Sequence, residues 1–96
     1  MMKFELGQLA ATCGVAALME ENKEFATFVQ MSFLRFNNCN WGEMDEADKE
    51  ANDEAVAAGD LRIFASYIHP KRPEWKIWII TESDRSATTI LFPSEY

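Results

Sequence analysis

The sequence has few of the residues that build disulfide-linked or metal-stabilised folds. Its 96 residues include two cysteines, Cys13 and Cys39, and one histidine, His69. Two cysteines do not make a disulfide framework, and no pair of these residues has a metal-ligand spacing. We therefore expect no structural metal and no cofactor. A reducing compartment is the simplest setting for such a chain.

Long apolar runs are missing as well. No stretch of about 18 apolar residues occurs, so the sequence predicts no membrane span. The first residues, Met1-Met2-Lys3-Phe4-Glu5, reach an acid before any apolar run, which is not the pattern of a signal peptide. These two features predict a cytoplasmic protein without a membrane partner.

Basic residues are few, with 9 Lys and Arg against 16 Asp and Glu. The only basic cluster is His69-Pro70-Lys71-Arg72-Pro73, with Lys76 beyond it. We interpret this cluster as a solvated turn and His69 as an exposed loop residue. Binding nucleic acid through a broad surface requires clustered Lys and Arg, so we expect no direct contact with nucleic acid.

Patterns typical of catalysis are also missing. No serine or cysteine can be paired with the single histidine in a nucleophilic arrangement, and the four glycines form no phosphate-binding loop. Acids on a helix that faces water lack the cleft in which a catalytic carboxyl acquires a raised pKa. The sequence therefore identifies no catalytic residue and favours a binding protein over an enzyme.

What the sequence does have is a concentrated negative charge. Residues 41–60 hold eight acids and one base, Lys49, whereas the rest of the chain holds eight acids and eight bases. The whole net charge of −7 therefore belongs to this segment. Its acids favour a helix start at Asp45, and Gly59 suits the position just past a helix end near Ala58.

The two sides of this predicted helix differ in character. One side is made mainly of small residues and is expected to pack against the fold: Met44, Ala47, Ala51, Ala55 and Ala58. The other side is acidic and is expected to face water, which makes its carboxylates candidates for binding a partner: Glu46, Glu50, Asp53 and Glu54.

The remaining periodicities predict a single α+β domain over residues 1–96. Apolar spacing predicts helices at 14–21, capped by Thr12, and at 23–36, where an aromatic stripe should enter the core. Strands are predicted at 61–68, 75–81 and 87–92. Residues 3–12 fit a short extended segment or the start of a helix. Short turns between the strands indicate N-terminal helices packed on a C-terminal three-stranded antiparallel meander.

Two further features mark candidate interaction sites. Phe64 and Trp78 alternate with the core residues of their strands, so they are expected on the opposite face, where exposed aromatic residues favour a dimer or partner interface. The turn Asp84-Arg85-Ser86 carries an acid, a guanidinium and a hydroxyl. An Asp84–Arg85 pair would fix the turn, with Ser86 capping an amide; alternatively, Arg85 would bind a carboxylate or phosphate.

The chain resembles a family of small uncharacterised bacterial proteins carried by plasmids and phages, some of them labelled as type I restriction subunits. The resemblance lies in residues 4–8, 40–55, 62–64 and 76–93, nearly the whole chain, with Asn40 and Ser83 as its departures. It implies a mobile-element protein in a bacterial cytoplasm. A chain of this size without a cofactor motif is too small for a methyltransferase subunit.

Two hypotheses of function follow. The first is a protein that binds other proteins and inhibits host defence, such as restriction or CRISPR systems, with its acidic helix imitating DNA. The second is a small-molecule or nucleotide-binding module centred on the Asp84-Arg85-Ser86 turn. A domain of this size buries only about two thirds of its unfolded surface, which leaves homodimerisation open.

Overall fold

The computed structural model describes residues 4–96, so the expectation drawn from Met1-Met2-Lys3 lies outside the described residues. The described chain is an α+β fold, as predicted, with three α-helices, four β-strands and a final 3-10 turn. In chain order the elements are β1 (Gln8–Ala11), α1 (Cys13–Glu21), α2 (Lys23–Asn37), α3 (Glu46–Ala58), β2 (Ile63–Ile68), β3 (Lys76–Thr81), β4 (Ala87–Leu91) and the turn Pro93–Glu95.

The strands form one mixed sheet in the order β1-β4-β3-β2. Strands β2, β3 and β4 make the predicted antiparallel meander, with Trp78 opposite both Ser66 and Leu91. The three-stranded prediction was nevertheless wrong in its strand count. Strand β1 lies parallel to β4, with Gln8 opposite Ala87, and makes a fourth strand. Its partner is at the other end of the chain, so the local sequence carries no sign of the pairing.

One face of the sheet carries the core. Helix α1 contacts β4, α2 contacts β3 and α3 contacts β2. The aromatic stripe of α2 is confirmed, because Phe25, Phe28, Val29 and Phe36 are buried while Phe33 is half-buried. Burying an aromatic or aliphatic side chain of this size contributes about 1.5–3 kcal/mol, so this stripe is a main source of stability. Within residues 4–96, no helix is long and apolar enough to cross a bilayer.

The side through which helix α3 packs on the sheet was predicted only in part, because Ala55 is buried as expected but the buried line runs through Asn52. Asn52 and Ala55 are its buried residues. The Asn52 amide nitrogen donates to the Phe64 carbonyl oxygen at 2.7 Å, and its amide oxygen accepts from the Phe64 amide at 3.1 Å. This pair of bonds fixes the line of the helix that faces β2. Three alanines of the expected packing side are exposed instead: Ala47, Ala51 and Ala58.

The segment before α3 closes the rest of the β2 edge. The Ser66 amide donates to the Trp41 carbonyl oxygen at 3.3 Å, and the Glu43 amide donates to the Ser66 carbonyl oxygen at 2.7 Å. The Ile68 amide donates to the Glu43 carboxylate at 3.0 Å. Gly42 has a φ of 77°, and a Cβ there would collide with the Ser66 carbonyl oxygen, so the close approach requires glycine.

Candidate interaction surface

The exposed side of α3 carries all four predicted carboxylates. Glu46, Glu50, Asp53 and Glu54 are exposed, and their spacing places them on one side of the helix. At about 1.5 Å of rise per residue, they span about 12 Å along the helix axis. We call this set of four the acidic face.

An open groove of about 280 Å³ runs beside the acidic face. Its helix wall contains Glu46, Lys49, Glu50 and Asp53, and its other wall is residues 39–41. The Lys49 ammonium lies 3.9 Å from the Glu46 carboxylate, at a site where both side chains are substantially exposed. Exposed pairs of this kind contribute little, so the groove keeps its negative character. Glu54 continues the acidic face beyond the groove.

The hydrophobic core positions one carboxylate of the acidic face. The indole nitrogen of Trp41 donates to the Asp53 carboxylate at 3.0 Å, while the Trp41 ring is buried edge-on against Phe36. In contrast, the Glu50 and Glu54 carboxylates make no hydrogen bond or ion pair with any residue of the described range 4–96. Three of the four carboxylates are therefore free of strong internal bonds, and the fourth has a fixed direction.

Helix α3 begins and ends where the sequence predicted. Asp45 is the N-cap, and its carboxylate accepts from the Asp48 amide at 2.9 Å. Gly59 is the C-cap with a φ of 81°, the left-handed conformation that ends a helix at low cost with glycine. Local capping chemistry therefore accounts for the position of the acidic helix along the chain.

The guanidinium of Arg85 has a structural role, because it bonds to backbone carbonyl oxygens of the chain itself. Its Nη1 donates to the carbonyl oxygens of Leu61, Glu82 and Ser83 at 2.6, 3.1 and 3.3 Å. Its Nη2 donates to the Ala55 carbonyl oxygen at 2.8 Å, in the last turn of α3. Arg85 thus ties the β3–β4 turn to the end of α3 and to the chain that leads into β2. These bonds engage both Nη atoms, which a carboxylate or phosphate bound by the end of the guanidinium would otherwise use.

The other two residues of the turn are also engaged. The Asp84 carboxylate accepts from the Ser86 amide at 2.9 Å, and hydrogen bonds from the Ser86 hydroxyl and amide lower the pKa of Asp84. The capping role expected of Ser86 therefore belongs to Asp84. The Arg85 guanidinium contacts carbonyl oxygens rather than the expected carboxylate partner. Arg85 also has a φ of 61°, which this network stabilises.

Trp78 lies on the sheet face opposite the helices, as predicted. Its ring centroid is 4.8 Å from that of Phe64 and 5.7 Å from that of Tyr96, and both Phe64 and Trp78 are half-buried. Arg62 stacks over Tyr96 and donates to its hydroxyl at 2.7 Å. The aromatic face is therefore partly covered by the chain itself, and it lies apart from the acidic face.

His69 is enclosed rather than exposed, because its side chain is only 12% accessible. Its Nδ1 accepts from the amides of Lys71 and Arg72, each at 3.1 Å. The ring packs edge-on against Phe28 and Trp75. The expectation of an exposed loop histidine was wrong, since the short proline-containing turn folds back on its own histidine.

Sequence reasoning missed the role of Glu95. Its carboxylate accepts from the Thr12 hydroxyl at 2.5 Å, the Phe92 amide at 3.0 Å and the Gly14 amide at 3.1 Å. The hydrogen bond from Thr12, followed by that from Phe92, lowers the pKa of Glu95. Thr12 is the N-cap of α1 as predicted, but a carboxylate from the other end of the chain supplies the capping acceptor. No local pattern could have shown it.

The predicted site residues thus lie in three separate places: the acidic face, the β3–β4 turn, and the sheet face that carries Trp78. Trp41 and Lys49 are additional members of the groove, and their proximity in sequence to the acids was the available signal. Comparisons of the chain with protein-family models, with curated proteins and with solved structures give no match.

Proposed function

We propose that this protein acts by binding another protein, and that the acidic face of α3 is its binding surface. The observation that carries the proposal is the row of four carboxylates beside a groove, three of which are left without strong internal bonds. Helix α3 holds five acids and one base, and the base makes only a loose pair with Glu46. The complementary partner has a basic surface.

The spacing of the charges suggests which basic surface to test first. Four carboxylates over about 12 Å give one negative charge about every 4 Å, close to the 3.4 Å per phosphate along one strand of B-DNA. A basic channel that binds nucleic acid would therefore accept this helix. The resemblance to proteins of mobile elements makes a nucleic-acid-processing defence complex of the bacterial host the first partner class, with inhibition as the outcome.

The alternative, a small-molecule or nucleotide-binding module centred on Asp84, Arg85 and Ser86, has less support. The Arg85 guanidinium donates to four backbone carbonyl oxygens, and the Asp84 carboxylate accepts from Ser86. A ligand would have to displace bonds that connect three segments of the chain. The same internal bonding gives no reason to assign catalytic chemistry to this turn.

The test is capture of partners from a bacterial lysate on the immobilised protein, with identification by mass spectrometry. The acidic face is neutralised by Glu46→Gln, Glu50→Gln, Asp53→Asn and Glu54→Gln together. The Asp53→Asn change keeps an acceptor for the Trp41 indole. A matched control neutralises four exposed acids elsewhere: Glu5→Gln, Glu20→Gln, Glu21→Gln and Glu82→Gln.

Both variants have the same net charge, so a difference between them reports position rather than total charge. We expect the wild type and the control to capture the same basic partner, in a salt-sensitive manner, and the acidic-face variant to lose it. A partner retained equally by both variants would contradict the proposal. Capture that is unaffected by salt would contradict it as well.

A further inference from the structure

The two edges of the sheet differ in whether their backbone groups have partners within the described chain. The β2 edge is closed by the Asn52 side chain and by residues 41–43, which pair with the backbone of Phe64, Ser66 and Ile68. At the other edge, β1 is followed by no further strand within residues 4–96. An open edge is a template for another strand, and proteins usually block it with charge, proline or a covering segment.

The backbone groups that β1 leaves open can be identified. The amides of Gln8 and Thr12 donate to carbonyl oxygens beside and within β4, each at 3.0 Å. Because alternate residues of a strand direct their N–H and C=O groups to opposite sides, those of Leu9 and Ala11 point away from β4. The strand Gln8-Leu9-Ala10-Ala11 carries no charge and no proline, its residues are exposed, and Leu9 is 49% accessible.

We infer that β1 pairs with β1 of a second copy of this chain, antiparallel and about a two-fold axis at Ala10. In this register Leu9 of each copy faces Ala11 of the other, and each such pair exchanges two N–H···O=C bonds. The four open groups of one edge are thereby matched by the four of its copy, and the two sheets become one.

The distribution of charge favours a second copy at this edge. Helix α3, with five acids and one base, contacts β2, three strand spacings or about 14 Å from β1. Edge-to-edge pairing therefore joins the two copies at a strand without charged residues and keeps the acidic faces beside the far strand of each sheet. A foreign basic strand would find no charge on β1 to attract it. The contact is small, so the dimer is a weak one, populated at high concentration.

Sedimentation equilibrium up to about 1 mM protein tests this pairing, with Leu9→Lys as the variant and Leu34→Lys as its control. Leu34 is 54% accessible and lies on α2, so both changes remove a similarly exposed leucine and add one charge. We expect Leu9→Lys to raise the dimer dissociation constant at least about tenfold, and the control to leave it unchanged. A wild type that stays monomeric overturns the inference, as does equal loss of the dimer in both variants.

Cross-linking tests the register without relying on a destabilising change. In a Cys13→Ser, Cys39→Ser background, Ala10→Cys places two thiols at the axis, where paired Cα atoms lie about 4.5 Å apart and a disulfide can form. We expect a disulfide dimer under mild oxidation, but none for Ala17→Cys on the exposed side of α1. Equal cross-linking of the two variants would overturn the register. The pairing would also be overturned if the Leu9 and Ala11 amides were protected from hydrogen exchange only after addition of a peptide from another protein, and not at high concentration of this chain alone.

Discussion

The β3–β4 turn and the acidic face of α3 are both rich in polar groups, yet they differ in how many of those groups are bonded within the chain. In the turn, the Arg85 guanidinium and the Asp84 carboxylate are bonded to the chain itself. On the acidic face, Asp53 alone accepts a hydrogen bond from a described residue, and Lys49 makes one loose pair. A polar cluster indicates binding only after its internal partners have been counted.

The largest effect that separates the two regions is expected from Arg85→Met. The change removes the donors to four carbonyl oxygens in three chain segments, and we expect a loss of about 2–4 kcal/mol in the free energy of unfolding. Arg62→Met is the matched control, because Arg62 is exposed and donates to one hydroxyl, that of Tyr96. Urea titration measures both. An Arg85 variant as stable as the control would contradict a structural role for the Arg85 guanidinium.

The next effect concerns the sheet-facing side of α3. Asn52→Ala leaves the Phe64 amide and carbonyl oxygen without their partner at the β2 edge, and we expect a loss of about 2–3 kcal/mol. Asn52→Asp keeps the acceptor but turns a second carboxylate oxygen towards the Phe64 carbonyl oxygen in a buried site, so a loss at least as large is expected. Chemical unfolding followed by circular dichroism checks the order of the three proteins. An unchanged midpoint for Asn52→Ala would mean that the amide does not hold α3 on the sheet.

A smaller effect should appear in the pH dependence of the turn. The pKa of Asp84 is lowered in the folded protein. Its ionised carboxylate therefore contributes stability at pH values above the pKa of an aspartate in the unfolded chain, about 3.9. This contribution is lost as the pH falls through the lower folded value. We therefore expect wild type to exceed Asp84→Asn in stability at pH 7, with a difference that shrinks as the medium is acidified. A difference that grows towards low pH would contradict the assignment.

The smallest effect on stability is expected from neutralising the acidic face. Three of its carboxylates lack strong internal bonds, and the Asp53→Asn change keeps an acceptor for Trp41. The fourfold variant should therefore remain within about 0.5 kcal/mol of wild type. The thermal midpoint measured by calorimetry is the readout. A large fall in the thermal midpoint of the fourfold variant would mean that these acids stabilise the fold and are not left free for a partner.

Local chemistry made much of the fold predictable from the sequence. Asp45 and Gly59 mark the ends of α3, and the aromatic spacing of α2 identifies its core side, because capping and helical periodicity act over a few residues. The β-branched and aromatic runs likewise located β2, β3 and β4. The acidic face was located by composition and helical period, without knowledge of any partner.

The missed features depend on partners distant in sequence. Strand β1 pairs with a strand at the other end of the chain, and Glu95 caps α1 from there. The side on which α3 packs is set by the bonds between Asn52 and Phe64, which outweigh the preference of small residues for close packing. The structural role of Arg85 was hidden in the same way, because its guanidinium reaches carbonyl oxygens more than 20 residues away along the chain.

The measurement closest to the central claim is the salt dependence of affinity for the captured partner, by titration calorimetry. Wild type and the control with four neutralised acids elsewhere should bind alike, with affinity falling steeply as salt rises. The acidic-face variant should bind at least about tenfold more weakly and with a shallower salt dependence. Equal affinity and equal salt dependence for all three proteins would contradict the claim that the acidic face of α3 is the binding surface.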